Sequence, residues 1–95
     1  MPRPLEAVVP VAAIRRMEPR RPYFVLRRQD RWFIAFGEEE FGPYQSEREA
    51  TLFAVDAAHR LGEQGEETQV LEVDETGQAA PVWTYGLDSY PPTPR

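Results

Sequence analysis

Apolar positions along this chain follow two periods. In "YFVLRRQDRWFIAFG", residues 23–37, aromatic and β-branched residues fill two arms around a polar centre, "RQDR". This is the pattern of a β-hairpin. A loop of two or four residues sets Arg27 opposite Trp32, Val25 opposite Ile34 and Tyr23 opposite Phe36. One face then shows Tyr23, Val25, Trp32, Ile34 and Phe36, and the other shows Phe24, Leu26, Phe33 and Ala35. A three-residue loop would swap these partnerships, because a one-residue slip turns every side chain to the other face. Both faces are apolar, whereas a half-exposed antiparallel sheet alternates apolar and polar. Each face of this hairpin therefore needs a cover.

"GEEEFGPY" predicts a turn and a short third strand near Phe41. The period then becomes helical. Ser46 is a natural N-cap, and Glu49 completes an S-x-x-E capping box. Glu47 and Glu49 suit the positive end of the helix dipole, and His59 and Arg60 the negative end. Asp56 and Arg60 make an i,i+4 pair. Ala50, Phe53, Ala54, Ala57 and Leu61 form one stripe, with Phe53 and Leu61 as its large anchors and Leu52, Val55 and His59 beside it. Gly62 or Gly65 supplies the stop. The expected helix spans residues 47–61.

"ETQVLEVDETGQAAPVWTY" reads as a second hairpin around "DETG". Pro81 makes its last strand an edge strand. The expected fold is α+β: a two-layer sandwich, an antiparallel sheet with one helix packed on one face, in the order β-β-(β)-α-β-β. Residues 1–21 hold Pro2, Pro4, Pro10 and Pro19 and form an Arg/Pro-rich arm without a long helix. Residues 22–86 form the single domain, and residues 87–95 a Pro-rich tail. In that tail Pro91 and Pro94 make a minimal PxxP, for which plain disorder is the simpler reading.

The Trp-bearing hairpin, the short strand, "GPYQSEREA" leading into an Ala-rich helix, and the acidic strand pair with its "DETG" turn resemble an uncharacterised bacterial family, domain of unknown function 2188. The resemblance covers about residues 22–76. It implies a small α+β fold, no known activity and no catalytic residues. It also implies that Tyr23, Val25, Trp32 and Ile34 face the helix. The chain departs from that family in its Arg/Pro arm and in the apolar Phe24, Leu26 and Phe33.

Composition narrows the picture. The 95 residues allow one domain with a modest core. The apolar content of 41% argues against full disorder. Without cysteine there is neither a disulfide framework nor a thiolate metal site, which fits a reducing, cytoplasmic setting. No apolar run approaches the roughly 20 residues of a membrane span. The apolar stretch in "MPRPLEAVVPVAAIRR" is broken by Pro10 and followed by "RRMEPRRP", which is a poor signal peptide. The absence of Lys and Asn points to a GC-rich bacterial source. Residues 1–31 carry eight arginines against three acids, and residues 32–95 three arginines against thirteen acids. The simplest reading is an Arg-rich front folding against an acidic back; the sharper one is a basic arm for an acidic partner.

Candidate chemistry is sparse. His59, the one histidine, has no second ligand at metal spacing and reads as structural. Ser46 is used as a cap and Ser89 lies in the tail. Glu38, Glu39 and Glu40 read as a solvated turn, because adjacent carboxylates alone are weak evidence for a metal. No phosphate-binding glycine motif occurs. Catalytic residues, metal ligands and cofactors are therefore none.

Two functions remain. The first is a non-enzymatic protein-interaction module that forms a homodimer through the second apolar sheet face: Phe24, Leu26, Phe33 and Ala35. The chain's own "AVVPVAAI" is the rival cover for that face. The alternative is nucleic-acid binding, with Arg15, Arg16, Arg20 and Arg21 on phosphates and sheet aromatics on bases. The net charge of −5 and the lack of an RNP-like motif argue against it.

Overall fold

The computed structural model describes residues 20–92. Three strands come first: β1 (Arg20–Arg28), β2 (Arg31–Phe36) and β3 (Glu39–Tyr44). The helix α1 (Glu47–Glu63) follows, then β4 (Glu67–Val73) and β5 (Ala79–Thr84). The five strands form one sheet in the order β3-β2-β1-β4-β5. The α+β class and the order of elements agree with the sequence reading.

The sheet is mixed, where an antiparallel one was expected. β1 pairs antiparallel with β2 but parallel with β4, Tyr23 opposite Val70 and Phe24 opposite Leu71. The reason is topological. β1, β2 and β3 meander outward to one edge, and α1 carries the chain back over the sheet. β4 then starts at the same end as β1 and runs beside it. β5 turns back against β4 and becomes the other edge, where Pro81 costs no ladder bond.

The first hairpin has the register that the alternation implies. Arg27 lies opposite Trp32 and Val25 opposite Ile34, and the rings of Tyr23 and Phe36 stack at 4.0 Å. The loop is the two residues Gln29 and Asp30, with φ of 54° and 65°. That is the left-handed pair a type I′ turn requires, here without glycine. An ion pair from Arg27 Nη2 to Asp30 Oδ1 at 2.8 Å braces it. At the β2–β3 pair, Trp32 faces Tyr44 and Ile34 faces Phe41, so β3 holds one extra residue. Gly42 sits in this bulge with φ of 128°, and a Cβ there would stand 2.9 Å from the Trp32 carbonyl oxygen. Only glycine meets both conditions. The bulge sets both Phe41 and Tyr44 on the helix side of the sheet.

Ser46 caps α1, its hydroxyl accepting the Glu49 N–H at 3.0 Å, while Glu49 Oε1 accepts the Gln45 N–H at 2.8 Å. The helix passes through Gly62 and ends at Gln64, followed by Gly65 at φ of 105°. Asp56 and Arg60 pair at 3.0 Å.

The buried face of α1 differs from the expected stripe. Ala50, Ala54, Val55, Ala58 and Gly62 are buried. Phe53 is 53% exposed, Ala57 is exposed and Leu61 is half-buried. The helix is turned by about one residue so that its smallest side chains meet the sheet. This brings the helix backbone close to β1 and β4. The core is Tyr23, Val25, Ile34, Val70 and Trp83 from the sheet against this small-residue stripe. Thr68, fully buried, donates its hydroxyl to the Ala58 carbonyl at 2.7 Å and ties helix to strand.

The C-terminal stretch returns over the helix. The Trp83 indole N–H donates to the Ser89 carbonyl at 2.9 Å, and the Asp88 carboxylate accepts the Thr84 N–H at 2.8 Å. Tyr90 stacks on His59 at 3.8 Å and donates its hydroxyl to Asp56. His59 thus belongs to an aromatic cluster with Trp83, Tyr85 and Tyr90, and its Nε2 lies 3.3 Å from Glu63. Pro94 of the PxxP pattern lies outside the described residues.

Two stability predictions follow from this packing. Alanine normally stabilises a helix over glycine by up to about 1 kcal/mol. At Gly62 the order should invert, because a Cβ there would enter the Tyr85 ring. Gly62→Ala is expected to lose about 1–3 kcal/mol, the usual cost of overpacking, in denaturant unfolding. A gain in stability would show that Tyr85 moves aside freely.

The second prediction concerns pH. Glu47, in the first turn of α1, is held above the usual glutamate range by burial and then by the charge and hydrogen bond of Glu72. Glu72 in turn accepts the Thr51 hydroxyl at 2.9 Å. A carboxyl group raised in the folded state binds its proton more tightly there than in the unfolded chain. Stability therefore rises as pH falls through the folded value and levels off below the unfolded one. Glu72→Gln keeps an acceptor for Thr51 and removes the repulsion. Its melting temperature should exceed the wild type's at pH 7, and the difference should shrink toward pH 4. A gap that persists at pH 4 would mean that charge is not the cause.

Candidate interaction surface

The sheet has two faces and, among the described residues, one helix. On the face away from α1, the alternation within β1 and β2 places Phe24, Leu26, Phe33 and Ala35. The register makes Phe24 the cross-strand neighbour of Ala35, and Leu26 that of Phe33. The four expected residues therefore adjoin one another, all half-buried.

The patch extends across strands that the sequence reading left out. Parallel pairing sets Leu71 beside Phe24, and β4 continues to Val73 on the same face. Leu71 is opposite Pro81, and Val73 opposite Ala79. Two apolar rows result. One is Ala35, Phe24, Leu71 and Pro81; the other is Phe33, Leu26, Val73 and Ala79. Each crosses β2, β1, β4 and β5. The alternation of "TQVLEV" already separates Leu71 and Val73 from Thr68 and Val70. Their place next to Phe24 follows only from the parallel β1–β4 pair.

One side of the patch is charged, with Arg28 and, opposite it on β2, Arg31. The Arg28 guanidinium lies 5.0 Å from the Phe33 ring centroid and forms an ion pair with Glu40 on β3. The hydrogen bond from Arg28 holds the Glu40 carboxyl below the usual carboxylate range. Arg28 shields one edge of Phe33 with its flat face, a favourable cation–π arrangement.

Of the four arginines considered for a polyanion, the structure describes two. Arg15 and Arg16 lie outside the described residues. Arg20 and Arg21 are successive residues of β1 and point to opposite faces. Arg21 lies 4.9 Å over the Phe36 ring and 3.6 Å from Glu66.

Two hollows flank the helix side. One, of about 610 Å³, runs between α1 and β5 and is lined by Glu47, Arg48, Leu52, Glu72, Trp83 and Asp88. The other, of about 930 Å³, opens at the end of the sheet between the Gln29–Asp30 and Asp74–Thr76 turns. The Asp74 carboxylate in the latter is held low by hydrogen bonds, first from the Thr76 hydroxyl and then from the Gln78 N–H. Among the described residues, no three His, Asp or Glu side chains come together as a metal ion would need. No helix there is long and apolar enough to cross a membrane. No family model, curated protein or solved structure matches the chain.

Proposed function

We propose that this protein is a small non-enzymatic interaction module that pairs with a second copy of itself through the sheet face opposite α1. The observation that carries this reading is the pair of apolar rows crossing four strands, built around Phe24, Leu26, Phe33 and Leu71. Fully burying a large apolar side chain contributes roughly 1.5–3 kcal/mol. These side chains are already half-buried, so each has a fraction of that still to gain. For a domain whose whole stability is about 5–15 kcal/mol, the sum is large. A second copy supplies a matching patch, because two-fold self-complementary contacts are the commonest assembly.

The size of the face sets the strength of the pair. Four strands spaced about 4.8 Å apart, each about six residues long, give a face of roughly 400 Å² in projection. Stable interfaces bury about 800 Å² per partner. A face of this size suits a weak, concentration-dependent pair rather than a permanent one. Nucleic-acid binding has less support: Arg21, Arg27 and Arg28 are engaged by Glu66, Asp30 and Glu40. The resemblance over residues 22–76 brings no activity to this reading, and a cytoplasmic bacterial setting is compatible with it.

The test is solution mass against concentration for the full chain, by light scattering. Wild type should pass from monomer to dimer as concentration rises. Phe24→Ser with Phe33→Ser should stay monomeric, with its far-UV circular dichroism retained. Phe53→Ser, on the helix side, should still dimerise. A wild type that is monomeric at millimolar concentration would rule the dimer out, as would loss of the dimer in Phe53→Ser alone.

A further inference from the structure

The face opposite α1 is not of even thickness. Along β2 and β1 it carries Phe33, Phe24 and Leu26, and along β5 only Pro81 and Ala79. Two sheets in aligned packing leave two directions for a two-fold axis. An axis across the strands lays each strand on its own copy. Phe33 then comes over the partner's Ala35 and Phe24 over the partner's Leu26, while the thin β5 sides face each other across a gap. Such a gap forfeits the contacts that close packing supplies. An axis along the strands, between β1 and β4, exchanges the two sides instead. Phe33 then comes over the partner's Ala79, Ala35 over the partner's Pro81, and Phe24 over the partner's Leu71. The thick side of each copy meets the thin side of the other.

Charge favours the same direction. β1 and β4 run parallel, so the Arg28–Arg31 end of the first hairpin and the turn after β4 lie at one end of the sheet. Arg28 is engaged by Glu40. Arg31 and, in that turn, Glu75 are exposed and have no ion pair among the described residues. Within one chain β1 stands between the strand of Arg31 and the strand before Glu75. An axis along the strands keeps this end of one copy on the same end of the other and exchanges the sides. It therefore brings Arg31 of each copy to the partner's Glu75, once on either side. An axis across the strands carries Arg31 to the opposite end of the partner, a strand's length from that turn.

Resting on the self-pairing reading above, we propose that the two copies meet about a two-fold axis along the strands, between β1 and β4, with Arg31 of each copy paired to the partner's Glu75. The apolar rows supply the affinity, and the two ion pairs select this orientation over the other.

The test measures self-association of the full chain by sedimentation at low ionic strength. Arg31→Glu alone, and Glu75→Arg alone, each set like charges together at both pairs. Each should raise the dissociation constant about fivefold or more, an effect that salt diminishes. Mixed in equal amounts, the two variants should associate as tightly as the wild type, because each chain then offers the other the opposite charge at both places. A loss confined to one chain is not rescued by mixing. In the wild type, isotope-filtered proton contacts between chains should join the Phe33 ring to the Ala79 methyl group. Within one chain these residues lie three strand spacings apart, about 14 Å. The proposal fails if the wild type dimerises but mixing restores nothing, or if the Phe33 ring meets the partner's Ala35 instead. A wild type that stays monomeric at millimolar concentration overturns the self-pairing reading itself, and this arrangement with it, and leaves "AVVPVAAI" as the cover.

Discussion

The helix rests on its smallest residues. Ala50, Ala54, Ala58 and Gly62 bring the backbone of α1 against β1 and β4, closely enough that the Thr68 hydroxyl reaches the Ala58 carbonyl. With little side chain between the layers, the large groups of the core come from the sheet: Tyr23, Val25, Ile34, Val70 and Trp83. Close approach also fixes what happens at the borders. Tyr85 can lie over Gly62 only because there is no Cβ. Phe53, one position off the contact line, has no place beneath the helix and is left against Tyr44 at its side.

The same contact explains which parts of the fold were legible in the sequence. The first hairpin was, because Tyr23, Val25, Ile34 and Phe36 share a face under only one register. The capping box was also legible, since Ser46 and Glu49 act locally. The orientation of the helix was not. Choosing Phe53 and Leu61 as anchors assumes that large residues seek the core, whereas a helix lying close on a sheet needs Ala and Gly there. A stripe at 50, 54, 58 and 62 was available, but its residues carry little hydrophobic weight. The parallel β1–β4 pair was hidden for another reason. It depends on where α1 delivers the chain, a global property that no local pattern records. Half of the open face followed from alternation in β1 and β2, and the other half, Leu71 and Val73, waited on that pair.

Charge asymmetry along the chain resolves into contacts across the sheet. Arg21 meets Glu66 and Arg28 meets Glu40, so residues from the basic front are matched by residues from the acidic back. These pairs are exposed and each adds little to stability, typically below about 1 kcal/mol. Their larger effect is to withdraw arginines from outside partners. Arg28, flat on Phe33, is both a salt-bridge partner and a cover for an aromatic edge. Among the described residues, Glu38 and Glu39 and, between α1 and β4, Glu47 and Glu72 stand without an ion pair, as do Arg20, Arg31 and Arg48.

Among the described residues one helix lies on a five-stranded sheet, and the strands far from it keep apolar side chains at the surface. On the helix side Tyr85 lies against Gly62 and Tyr90 against His59, while Phe41 and Phe53 stay exposed. The far face carries two apolar rows across β2, β1, β4 and β5, bordered by Arg28, which pairs with Glu40, and by Arg31 opposite it. The ring of Phe53, against Tyr44, and that of Phe41 lie exposed on the other face. Charge thus borders the apolar rows without interrupting them, so covering the rows would desolvate no charged group within them.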